Sequence, residues 1–220
     1  MGFLDICSYY FDRVVWLKDI VVIENLLPTV YAERISHLLL GDFFPWYSAE
    51  SISLPKGEET SIKDSRIRST AGFFHMFYDP KDKQCSTWWP EIEPTLWFLT
   101  EKLKDEDINI TLLEPYRVKA NLQTQITGGS DRVFNEPHAD PVPPDVGWIF
   151  LYYVNDSDGD TFIFNETSST IKDSISIRKR ITPKANSGIF FRGGISHTAS
   201  NPVITRRRIN INFNIKVEMN

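Results

Sequence analysis

The part of the chain that begins at Tyr116 contains no segment with helical periodicity. It consists of short runs rich in Val, Ile, Phe, Thr and Tyr, which are separated by Gly, Asn, Asp and Pro. About eight short strands at this spacing predict a double-sheet jelly roll or a barrel. The runs cover residues 117–126, 133–140, 148–155, 161–165, 174–177, 181–183, 188–192, 195–200 and 204–217.

The first half of the chain mixes the patterns of strands and helices. Residues 19–24 and 72–78 predict strands, and residues 30–40 carry apolar side chains at helical spacing. Residues 86–104 predict one amphipathic helix, whose start Pro94 delays. We therefore expect helices that precede the β-rich part and cover the outer face of one of its sheets.

We predict a single domain over residues 1–220, because no internal repeat or low-complexity linker divides the chain. Its mostly helical support covers residues 1–115 and its β-rich core residues 116–217. A chain of 220 residues buries about 70% of the surface that it exposes when unfolded, so its stability requires neither disulfides nor a structural metal. Any bound metal is therefore expected to be functional.

Charge and cysteine content exclude several functional classes. The chain has 24 basic and 29 acidic residues and a net charge of −5, which argues against sequence-independent binding to nucleic acid. Two cysteines are too few for a disulfide framework or a thiolate zinc cluster. Charged residues interrupt the first sixteen positions, so we expect neither a signal peptide nor a membrane span, and a cytoplasmic protein without a membrane partner.

Two histidines and one aspartate form a candidate metal-binding set. His138 and Asp140 are two residues apart on a predicted strand, so their side chains share a face. This pair alone is weak evidence, but His197 follows at the end of a later strand. Two histidines with one carboxylate leave coordination sites open and suit non-haem Fe(II) better than zinc. The other histidines, His37 and His75, are expected to be structural.

An arginine on the last predicted strand indicates an anionic ligand. After three consecutive arginines the strand alternates strictly, and its apolar positions predict the face that lies inside the barrel. Arg207 alone of the three shares that face, whereas Arg206 and Arg208 fit a basic strand end at the surface. An arginine inside a barrel needs an anion, such as the carboxylate of a cosubstrate. The apolar positions are Ile209, Ile211 and Phe213.

The order of these motifs resembles that of the 2-oxoglutarate- and Fe(II)-dependent oxygenases, specifically their prolyl 4-hydroxylase-type branch. The resemblance covers residues 116–215, whereas the first half of the chain is only loosely similar. The motifs that carry it are His138-x-Asp140, Leu-Tyr-Tyr-Val-Asn at 151–155, Gly-Asp-Thr at 159–161, His197, and Arg207 ten residues later.

The resemblance implies a double-stranded β-helix, a jelly-roll or cupin-like core, flanked by α-helices. It implies that His138, Asp140 and His197 bind iron and form the catalytic centre, and that Arg207 pairs with the distal carboxylate of 2-oxoglutarate. Tyr153 would donate a hydrogen bond to that cosubstrate, or would be a core residue with its hydroxyl satisfied elsewhere. The implied cofactors are Fe(II), 2-oxoglutarate and O₂, with ascorbate as a further reductant.

The implied reaction is hydroxylation of a C–H bond, with a prolyl residue of a protein or peptide as the expected substrate. A free amino acid or another small metabolite is the alternative. A nucleic-acid substrate is not expected, because the demethylases of this superfamily carry a second arginine six residues after the first, where this chain has Phe213. A jelly-roll binding module is the non-enzymatic alternative, and a cupin-type metalloenzyme lacks its third histidine here.

The chain departs from the family pattern on the first barrel strand, where Gln125 replaces a frequent tyrosine. Gln125 shares a strand face with Gln123 and Asn121, and these side chains either line the pocket or face solvent. Two long polar segments, residues 48–70 and 166–173, are candidates for a lid over the substrate.

Overall fold

The computed structural model describes residues 20–51, 53, 64–106, 108, 110–128, 133–140, 142, 147–167 and 175–219. The helices are α1 (Thr29–Leu40), α2 (Trp89–Ile92) and α3 (Thr95–Asp105). The strands are β1 (Ile20–Ile23), β2 (Tyr47–Ala49), β3 (Gly72–Asp79), β4 (Gln84–Cys85), β5 (Ile110–Thr124), β6 (Gly147–Tyr153), β7 (Thr161–Thr167), β8 (Ile177–Ile181), β9 (Ser187–Arg192), β10 (Ile195–Ala199) and β11 (Arg207–Met219).

The strands form two antiparallel sheets. The large sheet has the order β1-β9-β6-β11-β5-β3-β2, with β4 paired to β3, and the small sheet has the order β10-β7-β8. Neighbouring strands are mostly not consecutive in the chain, as in a jelly roll. The predicted mainly β fold with a jelly-roll core and flanking helices is confirmed.

The two faces of the large sheet pack against different parts of the fold. The outer face packs against the helices: Ile211 and Phe213 of β11 belong to one apolar cluster with Leu39 of α1 and Leu99 of α3. The inner face lies against the small sheet, and a second apolar cluster joins them. Its members are Ile149, Leu151, Tyr153, Ile163, Ile181, Ile189 and Phe191. We use "inner face" for this side of the large sheet throughout.

The helix predicted at 30–40 is α1, and the helix predicted within 86–104 is α3, which starts at Thr95 because Pro94 delays it, as expected. The additional short helix α2 was not predicted. The chain there forms two helices, because Pro94 has no N–H to continue the ladder of α2 and occupies the N-cap position of α3. The side chains of α3 that face the core are Leu96, Leu99 and Leu103.

Two strand predictions in the second half of the chain need correction. One strand, β8 at Ile177–Ile181, lies where separate strands at 174–177 and 181–183 were predicted. The predicted strand at 133–140 forms only isolated bridges, Ile67 with Phe134 and His138 with His197. The first half also contributes β1 and β3 to the large sheet, and β5 begins at Ile110. The domain division at residue 115 stays a prediction.

No helix among the described residues is long and apolar enough to cross a membrane. The segment that we interpreted as neither signal peptide nor membrane span, residues 1–16, lies outside the described part of the chain.

The packing of β11 on the helices gives a stability prediction. Ile211 is fully buried, whereas Ile204 is 79% exposed. Ile211→Ala should lower the free energy of unfolding by about 2–5 kcal/mol, because it removes buried methyl groups and leaves a cavity. The same substitution at Ile204 should change it by less than about 0.5 kcal/mol. Urea denaturation of both variants measures the difference, and equal effects would contradict this packing of β11.

Candidate metal centre

The fold brings together the three residues that the sequence selected as metal ligands. His138 lies between β5 and β6, and His197 lies in β10. Their backbones exchange two hydrogen bonds, from His138 N to His197 O (3.0 Å) and from His197 N to His138 O (2.9 Å). The potential ligand atoms of His138, Asp140 and His197 all lie within 4.8 Å of one another. The three side chains could therefore hold one ion.

Both imidazole rings are oriented by backbone carbonyls. The Nδ1 atom of His138 is 3.2 Å from the carbonyl oxygen of Glu136, and Nδ1 of His197 is 3.1 Å from that of Ile195. An Nδ1–H that donates to a carbonyl leaves Nε2 unprotonated and available to a metal. Burial, followed by the charge of His197, lowers the pKa of His138 to about 4. The ring is therefore neutral at physiological pH, as metal ligation requires.

The Asp140 carboxylate is held by side chains of β5 and β11. Arg117 Nη2 donates to Oδ1 at 3.0 Å, while the amides of Asn212 and Asn214 donate to Oδ2 at 2.7 and 2.9 Å. The Nε2 atom of His197 lies 3.9 Å from Oδ2. Burial opposes the charged carboxylate, but the two imidazoles, Arg117 and Asn212 outweigh it and hold the pKa of Asp140 well below its usual range.

We did not predict this set of donors from the sequence, although a signal for it exists. Asn210, Asn212 and Asn214 alternate with the apolar residues of β11, so all three point to the inner face. Buried amides in a regular row need acceptors.

Two glycines position His197. Gly193 and Gly194 form the turn between β9 and β10, and Gly194 has a φ angle of +83°. A Cβ atom on Gly193 would lie 2.0 Å from a methyl carbon of Val142 and 2.8 Å from the carbonyl oxygen of Gly147. The turn therefore packs closely against Val142 and the first residue of β6, and larger residues would displace it.

The predicted orientation of Arg207 is wrong. Its Nη1 atom donates to the carbonyl oxygen of Leu40 at the end of α1, on the outer face. Arg208 is the inward residue of the pair and is 3% exposed. The prediction took the apolar positions of β11 as the barrel interior, but these residues pack against the helices. The interior of this strand is therefore polar, and the strand parity of the prediction is reversed.

Arg208 is surrounded by neutral acceptors. Its Nε donates to Gly159 O (2.7 Å) and its Nη1 to Gln123 Oε1 (3.0 Å) and Asn210 Oδ1 (2.7 Å). Its Nη2 donates to Thr161 Oγ1 at 2.8 Å. No carboxylate pairs with this guanidinium among the described residues. The nearby Asp160 forms an ion pair with Arg180 instead.

Thr161 has a hydroxyl proton that is available to a ligand. Its oxygen accepts hydrogen bonds from Arg208 and from the hydroxyl of Tyr153, which is 2.8 Å away. The proton of Thr161 itself has no acceptor among the described residues. Burial raises the pKa of Tyr153 to about 12, so the phenol remains a donor. Tyr153 is thus a buried residue whose hydroxyl is satisfied by Thr161.

The glycine of the Gly-Asp-Thr motif allows Arg208 to pack closely. A Cβ atom on Gly159 would lie 2.7 Å from Ser200 O and 3.0 Å from Arg208 Cδ.

Asp158, which we did not predict to be important, accepts hydrogen bonds from the backbone N–H groups of residues 203–205. It fixes the loop that leads into β11, and thereby the register of Arg208.

The remaining sequence candidates lie as follows. Gln123 is buried beside Arg208, whereas Gln125 is exposed and donates to Val203 O. Asn121 is half-buried on the inner face. His75 is buried away from the three ligands, with its ring nitrogens 2.8 Å from Pro45 O and Ser86 Oγ, as expected of a structural histidine. His37 is exposed on α1.

Comparison with known proteins gives matches in structure only. No protein-family model matches the chain, and no curated protein matches it. A 2OG-Fe(II) oxygenase family oxidoreductase from Burkholderia pseudomallei superposes with a TM-score of 0.59 and 13% identity, over 98% of this chain and 92% of that one. The chain has the fold of the 2-oxoglutarate- and Fe(II)-dependent oxygenases.

Two further solved structures are similar to the chain. A non-haem α-ketoglutarate-dependent carbocyclase from nogalamycin biosynthesis gives a TM-score of 0.54 at 10% identity, over 97% of this chain and 84% of that one. A prolyl hydroxylase from Trichoplax adhaerens, in complex with a peptide fragment of hypoxia-inducible factor, gives 0.51 at 14% identity, over 90% and 84%. At sequence identities of 10–14%, these similarities show a shared fold.

The two lid candidates fall largely outside the described residues, at 52, 54–63 and 168–173. The described end of the first candidate is anchored beside the metal ligands. Arg66 pairs with Asp64, and the backbone of Arg68 donates to the carbonyl of Phe134, four residues before His138.

The geometry of the three ligands gives a prediction about metal binding. His197→Ala should weaken the binding of Co(II), a spectroscopic substitute for Fe(II), by about 100-fold or more, because it removes one of three ligands. His37→Ala, the same change on the exposed face of α1, should leave the affinity unaltered. Anaerobic titration followed by visible absorption measures both. Equal affinities for the two variants would remove His197 from the ligand set.

Proposed function

We propose that the protein is an Fe(II)- and 2-oxoglutarate-dependent dioxygenase that hydroxylates a C–H bond. The observation that carries this proposal is the convergence of two imidazoles and one carboxylate within 4.8 Å, in the fold of these oxygenases. When bound, Fe(II) supplies the redox chemistry by which O₂ oxidises 2-oxoglutarate to succinate and CO₂ and transfers its second oxygen atom to the substrate.

In this proposal His138, Asp140 and His197 hold the iron and form the catalytic centre. Two nitrogen donors and one oxygen donor fit Fe(II) and leave positions open for the cosubstrate and O₂. Arg117 and Asn212 keep Asp140 ionised and oriented. These side chains position the ligand and do not touch the reacting atoms.

Apolar side chains limit the access of water to this centre. The ring of Phe191 packs edge-on against His197, with ring centroids 5.0 Å apart. Ile149 and Ile189 are fully buried in the same inner cluster as Phe191. A dry surrounding protects a reactive centre from side reactions and strengthens its electrostatic contacts.

We assign the distal carboxylate of 2-oxoglutarate to Arg208, in place of Arg207. The second Nη2 proton of Arg208 and the hydroxyl proton of Thr161 have no acceptors among the described residues, so both are available to one carboxylate. Of the two roles that the sequence left open for Tyr153, the hydrogen bond to Thr161 favours the core residue, which here orients the Thr161 hydroxyl. The buried guanidinium then gains an anion that the described residues do not supply.

The two adjacent arginines give a matched test of this assignment. Arg208→Ala should raise the Kd of 2-oxoglutarate by about 10- to 100-fold, the loss expected for a charge-assisted hydrogen bond. Arg207→Ala should change it by less than about twofold. Anaerobic titration of the Fe(II)-loaded protein, followed by the visible metal-to-ligand charge-transfer band, gives both constants. The reverse ranking would restore the assignment to Arg207.

We propose a prolyl residue of a protein or peptide as the substrate. The support is the resemblance of the motifs from His138 to His197 to prolyl 4-hydroxylases, together with the fold shared with the Trichoplax prolyl hydroxylase. The similarity to the carbocyclase favours the second candidate, the same chemistry on a free amino acid or small metabolite. Counted from Arg208, the position of the second arginine of nucleic-acid demethylases is Asn214, so that substrate class is still not expected.

The substrate proposal is tested with a library of synthetic peptides, each of which contains one proline flanked by randomised residues. We expect a mass gain of one oxygen atom on proline, accompanied by equimolar succinate, when Fe(II), 2-oxoglutarate, ascorbate and O₂ are present. His197→Ala should show neither product, and His37→Ala should show both. Succinate formation with small metabolites but with none of the peptides would replace the prolyl proposal by the second candidate.

A further inference from the structure

Lys119 lies on the inner face, beside the proposed metal centre. It is directly opposite Asn212 of β11 on one side and Met76 of β3 on the other. Side chains at opposed positions of antiparallel strands lie on the same face. Because Asn212 donates to Asp140, this register places Lys119 one strand away from the metal ligands. Neither the metal site nor the 2-oxoglutarate site proposed above uses it.

The ammonium group of Lys119 has no hydrogen-bond or ion-pair partner among the described residues. The titratable groups around it are Arg117, Asp140 and the imidazole of His138. The Asp140 carboxylate already accepts hydrogen bonds from Arg117, Asn212 and Asn214. Burial, followed by Arg117, lowers the pKa of Lys119 to about 8, with Asp140 acting in the opposite direction. The side chain is therefore mostly charged at neutral pH.

Among Lys119 and the described groups that act on it, the cations outnumber the anions. Arg117 is neutralised by Asp140, and the distal carboxylate of 2-oxoglutarate is assigned to Arg208. Within the described part of the chain, this leaves Lys119 as a partly buried cation without a counter-ion. Removing a charge from water without pairing it is costly, so proteins rarely keep such a group unless a ligand completes the site.

Apolar side chains adjoin Lys119 on the same face. Met76 is its direct neighbour on β3, and Phe74 lies two positions earlier on that strand. Tyr47 of β2 is opposite Phe74, with ring centroids 6.0 Å apart, and is 57% exposed. A ligand that reaches Lys119 from this side would therefore contact aromatic and thioether groups before its acidic group meets the ammonium.

We propose that Lys119 binds a carboxylate or phosphate group of the primary substrate, and that the enzyme therefore acts on acidic substrates. This inference rests on the proposed oxygenase function and narrows its substrate class. It accommodates both substrate candidates, because a peptide supplies the anion from a residue next to the proline and a free amino acid from its own carboxylate. The ammonium is a point charge with three donors, which suits both anions.

The test uses matched acidic and neutral probes with the Fe(II)-loaded protein. The pairs are L-proline with L-prolinamide, acetyl-Pro-Asp-amide with acetyl-Pro-Asn-amide, and acetyl-Pro-phosphoserine-amide with acetyl-Pro-Ser-amide. Succinate release gives kcat/KM for each probe. Lys119→Met keeps the length of the side chain and removes its charge, and Lys184→Met makes the same change at an exposed position.

In the wild type and in Lys184→Met, we expect the kcat/KM of at least one acidic probe to be tenfold or more above that of its neutral partner. Lys119→Met should abolish this preference. The inference would be overturned if the acidic and neutral probes of every pair had equal kcat/KM, if the preference persisted in Lys119→Met, or if no probe led to succinate release.

A separate titration of 2-oxoglutarate without substrate shows whether Lys119 binds the cosubstrate. We expect the charge-transfer band to form in Lys119→Met with the wild-type Kd, which also shows that the variant is folded. A Kd raised tenfold or more would mean that Lys119 binds the cosubstrate, which overturns the inference and leaves the oxygenase function standing. Failure of the wild-type protein to form the band would overturn the proposed function itself.

Discussion

The buried charge of Asp140 is the constraint on which the rest of the interior depends. A carboxylate inside a protein is stable only where donors and cations replace its hydration. Here one guanidinium and two amides do so, from β5 and β11, the two strands that pair over the longest run in the large sheet. The carboxylate ligand is therefore anchored to two central strands of the large sheet, and it is held in place before any metal binds.

This requirement explains the unusual composition of β11. A strand with a helix-covered outer face and a ligand-binding inner face must alternate apolar and polar residues, and β11 does so from Arg208 to Asn214. The pattern normally indicates a strand with one face in water. In this chain both faces are buried, and the polar one faces the site. The alternation identifies the strand but does not reveal which of its faces lies inside.

That ambiguity marks the limit of prediction from the sequence. Most strands of the second half, the first helix and the convergence of His138, Asp140 and His197 follow from local patterns and motif order. The orientation of Arg207 and Arg208 depends on where the helices pack, which is tertiary information that strand parity lacks. Asp158 and Lys119 were likewise missed, because an isolated acid or lysine gives no signal until its neighbours in space are known.

The arrangement of cations along the inner face limits what each can bind. His197 is opposite Ile163 on β7, and Thr161 is two residues further along the same strand, about 7 Å away at the rise of a β-strand. A short dicarboxylate can span this distance, with one end at the metal ligands and the other at Thr161 and Arg208. Lys119 lies on β5 opposite Asn212, which is four residues from Arg208 along β11, about 13 Å at the rise of a β-strand. The two cations therefore fit two different anions, and their separation distinguishes a cosubstrate site from a substrate site.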